Sequence, residues 1–110
     1  MKKLIGRKKT KTAIFISGTG SNLKKLIQFS KIKKSPISID LIVSSTKKAP
    51  GLKYSKKYKI EKKIVNFKNN KIAEKKNLNF INKKKIKFIC LAGFMKILSK
   101  NFIKKFNGKI

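Results

Sequence analysis

Ser17-Gly18-Thr19-Gly20-Ser21-Asn22-Leu23 lies between a short continuous apolar run, Ala13 to Ile16, and Leu23, Leu26 and Ile27 at the spacing of one helical face. Glycines there permit a sharp bend and a close approach, and free N–H groups at a helix start, reinforced by the helix dipole, attract an anion. Phosphate binding is therefore one reading. A tight turn without a ligand is the other, because Gly, Ser and Asn also suit turns and caps. A dinucleotide fingerprint wants a third Gly where Leu23 stands and an acid where Ser44-Ser45-Thr46 stand, and Asp40 comes too early. A P-loop wants Gly-Lys-Ser/Thr, whereas Gly20 is followed by Ser21 and Asn22. A smaller phosphorylated metabolite is what remains.

The second candidate is Leu91-Ala92-Gly93-Phe94-Met95-Lys96-Ile97-Leu98-Ser99, where apolar residues belong to no clear helix face. Such bulky residues either line a pocket for a flat aromatic ligand or plug the core beneath a loop.

The elements that must position these loops follow from periodicity. Ala13–Ile16 suits a strand buried on both faces, and a helix follows, capped by Ser21 or Asn22 and stopped by Ser35-Pro36. Residues 37–43 read as a second strand, Leu52 to Tyr58 as a short helix, and Ile64 to Phe67 as a third strand. Ile72, Ala73, Leu78 and Ile81 make a weak helical pattern before a fourth strand from Ile86 to Ala92. Ser99 suits the N-cap of a last helix carrying Phe102, Ile103 and Phe106, closed by a left-handed Gly108, with Lys109-Ile110 beginning another strand. Strands alternating with helices predict an α/β fold, a parallel sheet in the order 3-2-1-4 like the mononucleotide-binding half of a doubly wound, Rossmann-like domain. In that order the first and fourth strands are neighbours, so both candidate loops leave the sheet at its switch point.

Length and composition narrow the chemistry. The 110 residues allow one domain, and with one Cys, no His and no long apolar run they leave no disulfide framework, imidazole catalyst, Cys/His metal site or transmembrane helix. Cys90, in an apolar run, reads as a core thiol, and the apolar stretch after MKKLIGRKKTKT is too short for a signal peptide, which points to the cytoplasm. The formal charge is +29, yet Lys, Ile and Asn make up 57 of the residues and Arg occurs only at Arg7. Lysines spread in pairs along the chain read as a solvated surface shaped by a skewed genome, with nucleic acid attracted nonspecifically if at all.

The strings AIFISGTGSNLKKLI and FICLAGFMKILSKNF, with Ala49-Pro50-Gly51-Leu52 between them, resemble the N-terminal half of the phosphoribosylglycinamide formyltransferase family. The resemblance covers residues 12–110, leaving 1–11 as a basic N-terminal extension. It implies a truncated formyltransferase fold and transfer of a formyl group from 10-formyltetrahydrofolate to glycinamide ribonucleotide in purine (IMP) biosynthesis, with no metal. By the same resemblance Gly20, Ser21 and Asn22 hold the ribonucleotide phosphate, and Met95, Lys96, Ile97 and Leu98 border the folate. Lys96 stands where the family often has Arg, which replaces a planar bidentate donor by a point charge. A further basic folate contact falls near Asn70 or Lys71. The family's catalytic Asn and His, in an Asn-x-His-Pro-Ser-Leu-Leu-Pro segment, and its Asp are all expected beyond Ile110. The chain is thus expected to be a fragment without turnover of its own, its partners being the ribonucleotide, the folate and a missing C-terminal half. The rival readings are another formyltransferase, such as one acting on methionyl-tRNA, and a basic nucleic-acid-binding module.

Overall fold

The computed structural model describes residues 9–18 and 21–110. Four strands, β1 (Thr10–Ile16), β2 (Ile37–Ser44), β3 (Lys62–Ile64) and β4 (Phe88–Leu91), form a parallel sheet in the order β3-β2-β1-β4, as the alternation of strands and helices predicts. The connections are α1 (Ser21–Ser30), a 3-10 turn (Pro50–Leu52) leading into α2 (Lys53–Tyr58), and α3 (Asn70–Lys83); α4 (Lys100–Lys105) follows β4.

Alternation along β1 divides the core. Ala13 and Phe15 face α3 and α4 with Leu41, Val43 and Ile89, while Ile14 and Ile16 face the α1 side with Leu23, Ile27 and Ile42. Each large aliphatic or aromatic side chain buried in this way contributes about 1.5–3 kcal/mol. A bulge in β2 explains why its apolar pattern changes along its length. Thr12 pairs with Ile39 but Ala13 pairs with Leu41, so Asp40 is the extra residue. Ile37 and Ile39 therefore face the α1 layer and Leu41 and Val43 the opposite one, a switch of phase that one inserted residue produces. Cys90 is half-buried against the α1-side layer, where burial pushes its thiol above the ordinary range.

Several boundaries differ from the periodicity. The helix proper already includes Ser21 and Asn22, and it ends at Ser30, five residues before Ser35. Lys9 Nζ donates to the carbonyl of its last residue, Ser30 O, at 2.6 Å and to Ile32 O in the turn beyond it at 2.8 Å. The third ladder covers 62–64 instead of 64–67, because β2 ends at Ser44; Val65 closes it with an N–H bond to Ser44 O, Phe67 lies beyond it, and both side chains are buried in the core. Gly108 does not have the left-handed backbone expected of a helix end. A Cβ there would lie 2.2 Å from Lys87 O, so close passage of this segment along the outer edge of β4 is what requires glycine. Where another strand was expected to begin, Lys109 makes a single isolated parallel bridge to Phe88 and no strand forms.

Candidate functional site

Three loops leave the carboxyl ends of β1, β2 and β4 and are tied together there. Ala92 N–H donates to Phe15 O at 2.9 Å, Ser45 N–H to Ile16 O at 3.2 Å, and Gly51 N–H to Gly18 O at 3.1 Å. Ser17 is the centre of the knot: its Oγ accepts from Met95 N–H at 3.0 Å and lies 2.7 Å from Ser45 Oγ. The two loops singled out in the sequence are thus joined directly, at the switch point of the sheet.

Of the first loop's candidates, Gly20 lies outside the described residues, while Ser21 and Asn22 form the exposed first turn of α1. No acid occupies that turn, so the positive end of the helix dipole is not neutralised from within. Gly18 faces open space; a Cβ added there would meet nothing within 4 Å.

The second loop divides its apolar residues between two tasks. Gly93 turns the chain at φ 70°, a left-handed conformation that favours glycine. Phe94 then points inward and packs edge-on against Phe15 and Phe67, with ring centroids 5.3 and 5.2 Å away, and Leu98 also packs on the core. Met95 and Ile97 point outward, 79% and 84% exposed, with Lys96 exposed between them. Core plug and outward wall, alternatives in the sequence, coexist in alternate residues.

The far end of this loop is fixed by Glu74, a buried carboxylate on α3 that sequence reasoning passed over as an ordinary helix residue. It accepts from Ser99 N–H at 2.7 Å and from Ser99 Oγ–H at 2.6 Å, while Ser99 Oγ caps α4 by accepting from Phe102 N–H at 3.1 Å. Lys71 and Glu74 line a cavity of about 440 Å³ between α3 and α4; Asn70, the other candidate of that region, begins α3 and is exposed. Ser17 and Ser45 were also missed as positioning groups. Their one sequence signal is a hydroxyl residue at the carboxyl end of each of two neighbouring strands.

Residues 10–110 match the formyl transferase family (Formyl_trans_N). The chain is 36% identical over 107 residues to the human trifunctional purine biosynthetic protein adenosine-3, covering 94% of this chain and 11% of that protein. It is 33% identical over 103 residues to the phosphoribosylglycinamide formyltransferase of Haemophilus influenzae, covering 91% of this chain and 49% of that one. The crystal structure of the phosphoribosylglycinamide formyltransferase from Brucella melitensis superposes with a TM-score of 0.85 at 32% identity, over 92% of this chain and 54% of that one. The chain thus spans about a tenth of the trifunctional relative and about half of the single-enzyme relatives. A match that begins with β1 and runs through all four strands, over a sheet order and a pair of joined loops already evident in the structure, makes the chain a member of the formyl transferase family.

Proposed function

We propose that these residues are the ligand-holding part of a phosphoribosylglycinamide formyltransferase domain, which transfers a formyl group from 10-formyltetrahydrofolate to glycinamide ribonucleotide in cytoplasmic purine biosynthesis. The observation that carries this reading is the Ser17 hydroxyl bond to Met95 N–H, which sets an anion-attracting helix start beside an outward apolar wall. The names of the relatives at 33% and 36% identity support the choice of reaction. No described helix is long and apolar enough to cross a membrane.

In this reading Gly20, Ser21 and Asn22 receive the ribonucleotide phosphate on backbone N–H groups at the start of α1, where the dipole favours negative charge. Met95, Ile97 and Leu98 offer apolar surface to the folate ring system, and Lys96 offers a point charge to its anionic tail. In the transfer the ribonucleotide amine would bond to the formyl carbon as that carbon's bond to the folate nitrogen breaks, the amine's proton ending on that nitrogen. The work of this chain is to hold the two substrates on adjacent strand exits, which lowers the entropic cost of their encounter. The sequence contains no His, so proton transfer by imidazole falls to residues outside these 110, and residues 12–110 act as the N-terminal part of the domain.

Titration calorimetry of the 110-residue chain with glycinamide ribonucleotide and, separately, with 10-formyltetrahydrofolate tests the proposal. Binding of each without formylated product is expected. Failure of both ligands to bind the folded chain overturns the site assignment, and product formed above a no-protein control overturns the division of labour.

A further inference from the structure

The edge strand β3 of the sheet is the second feature of note. Ile42 N–H donates to Glu61 O and Val65 N–H to Ser44 O, each at 2.9 Å. In a parallel ladder a residue turns both its backbone groups to the same side, so residues 61, 63 and 65 face β2 while Lys62 and Ile64 turn N–H and C=O outward. Those outward groups take no hydrogen bond from any described residue. Beside them, between β3 and α3, lies a cavity of about 710 Å³. Its apolar surface comes from Ile64, 46% exposed, and from Val65 and Phe80.

The charge around this groove is one-sided. Lys63, Lys76, Lys83 and Lys84 line it against one carboxylate, Glu61, which Lys84 meets at 2.5 Å and Lys63 at 3.5 Å. A second copy of this chain is a poor occupant, because pairing two such edges brings Lys62 and Lys63 against their own counterparts. A nucleic acid satisfies the ammonium groups but has no amide ladder to match Lys62 and Ile64.

We infer that the outer edge of β3 binds an extended, acidic segment of another polypeptide as a fifth strand, its main chain pairing with Lys62 and Ile64 and its alternate side chains placing carboxylates at the lysines and an apolar group against Ile64 and Phe80. Main-chain pairing supplies affinity in this mode, and the alternating side chains supply selectivity.

Fluorescence anisotropy with the full chain tests it, the probe being a labelled peptide about eight residues long that alternates Glu with Ile or Phe. Saturable binding is expected at about 0.15 M salt, with loss of about tenfold or more in affinity when alternate peptide nitrogens are methylated. Ile64→Pro removes the outward N–H together with the Ile64 side chain, a substitution that edge strands tolerate, and is expected to weaken the peptide by a similar factor, well beyond the loss in Ile64→Ala, which removes the side chain and keeps the N–H, with the far-UV circular dichroism unchanged. Should that variant unfold, the pair K63E and K83E decides the matter, since both side chains lie outside the apolar core; it should lose the Glu peptide and gain a Lys peptide of the same pattern. Equal binding of the methylated peptide, or of an oligonucleotide of equal charge with no effect of Ile64→Pro, shows plain attraction to lysines and overturns the inference. So does a charge-reversed pair that keeps its preference for Glu.

Discussion

The Ser17 hydroxyl stands 3.0 Å from the backbone N–H of Met95, seventy-eight residues further along the chain, and 2.7 Å from the Ser45 hydroxyl. One small side chain at the end of β1 thereby fixes the loops that leave the strands on either side of it. A Ser does this where Ala cannot, because the Met95 amide needs an acceptor and Ser45 needs a partner for its own hydroxyl.

Ser17→Ala therefore releases the backbone of Met95 from the end of β1. Global stability should fall by about 1 kcal/mol, the usual net worth of such a bond. Hydrogen exchange at the Met95 amide should rise by more than that global loss accounts for. Unchanged exchange at Met95 with a normal melt would show that the contact holds nothing in place.

Neighbouring residues of this loop should respond in opposite ways. Met95→Asp puts a charge on a side chain that is already 79% exposed, so stability stays within about 0.5 kcal/mol of the parent while folate affinity drops. Phe94→Ala removes a ring that two other rings contact edge-on and should cost about 2 kcal/mol or more in a denaturant melt. Equal destabilisation by the two substitutions would place both side chains in the core.

What the sequence disclosed and what it concealed have physical causes. The strand β1, its neighbours and their order were legible because Ala13–Ile16 and Phe88–Ala92 are continuous apolar runs and helix-length intervals separate the strands. The first candidate loop was legible because Gly, Ser and Asn follow a buried strand directly, and the second because its apolar residues fit no helix face. The β2 bulge was hidden, since one inserted residue changes which face Leu41 and Val43 take without changing their apolar character. The span of β3 was misplaced because Val65 and Phe67 are apolar for packing, whereas the residues in register with β2 are Lys62–Ile64, bonded to it through the backbone of Glu61, Lys63 and Val65. Glu74 and Ser99 sit 25 residues apart in the sequence, and no local pattern announces that a carboxylate on a buried helix face will hold a loop.

Acid should loosen one identifiable contact. The Lys84 hydrogen bond holds Glu61 below its ordinary value near 4.5, with Lys63 contributing less. A depressed folded-state value means that the contribution is fully present above about pH 4.5 and is lost as pH falls through the lower folded value. Because the pair is exposed and screened, its worth is about 0.5 kcal/mol or less in 0.1 M salt. Thermal melts of the parent and Glu61→Gln between pH 6 and 3 should differ by that small amount at pH 6 and converge at the acid end. A difference that widens on acidification would mean that the folded state raises the Glu61 value instead of lowering it.

Asn77 points to a stabilising substitution. Its side chain on the inner face of α3 has no exposure, and neither its Oδ1 nor its Nδ2 has a hydrogen-bond partner among the described residues. Ala73 and Ile81, one turn to either side on the same face, are both fully buried in the apolar core, so the amide bears a desolvation cost with nothing to offset it. Leu has a similar volume, a better helix propensity and no polar atoms to strand. Asn77→Leu should raise the unfolding free energy by about 1–3 kcal/mol, read as a higher denaturant midpoint at an unchanged slope. The variant isolates the polar penalty from packing when set beside Asn77→Ala, which also removes the buried amide but leaves a cavity and should gain less than Leu. A lower midpoint for Asn77→Leu would mean that the amide has a partner in solution, and that this face of α3 is held by a polar contact instead of by apolar packing alone.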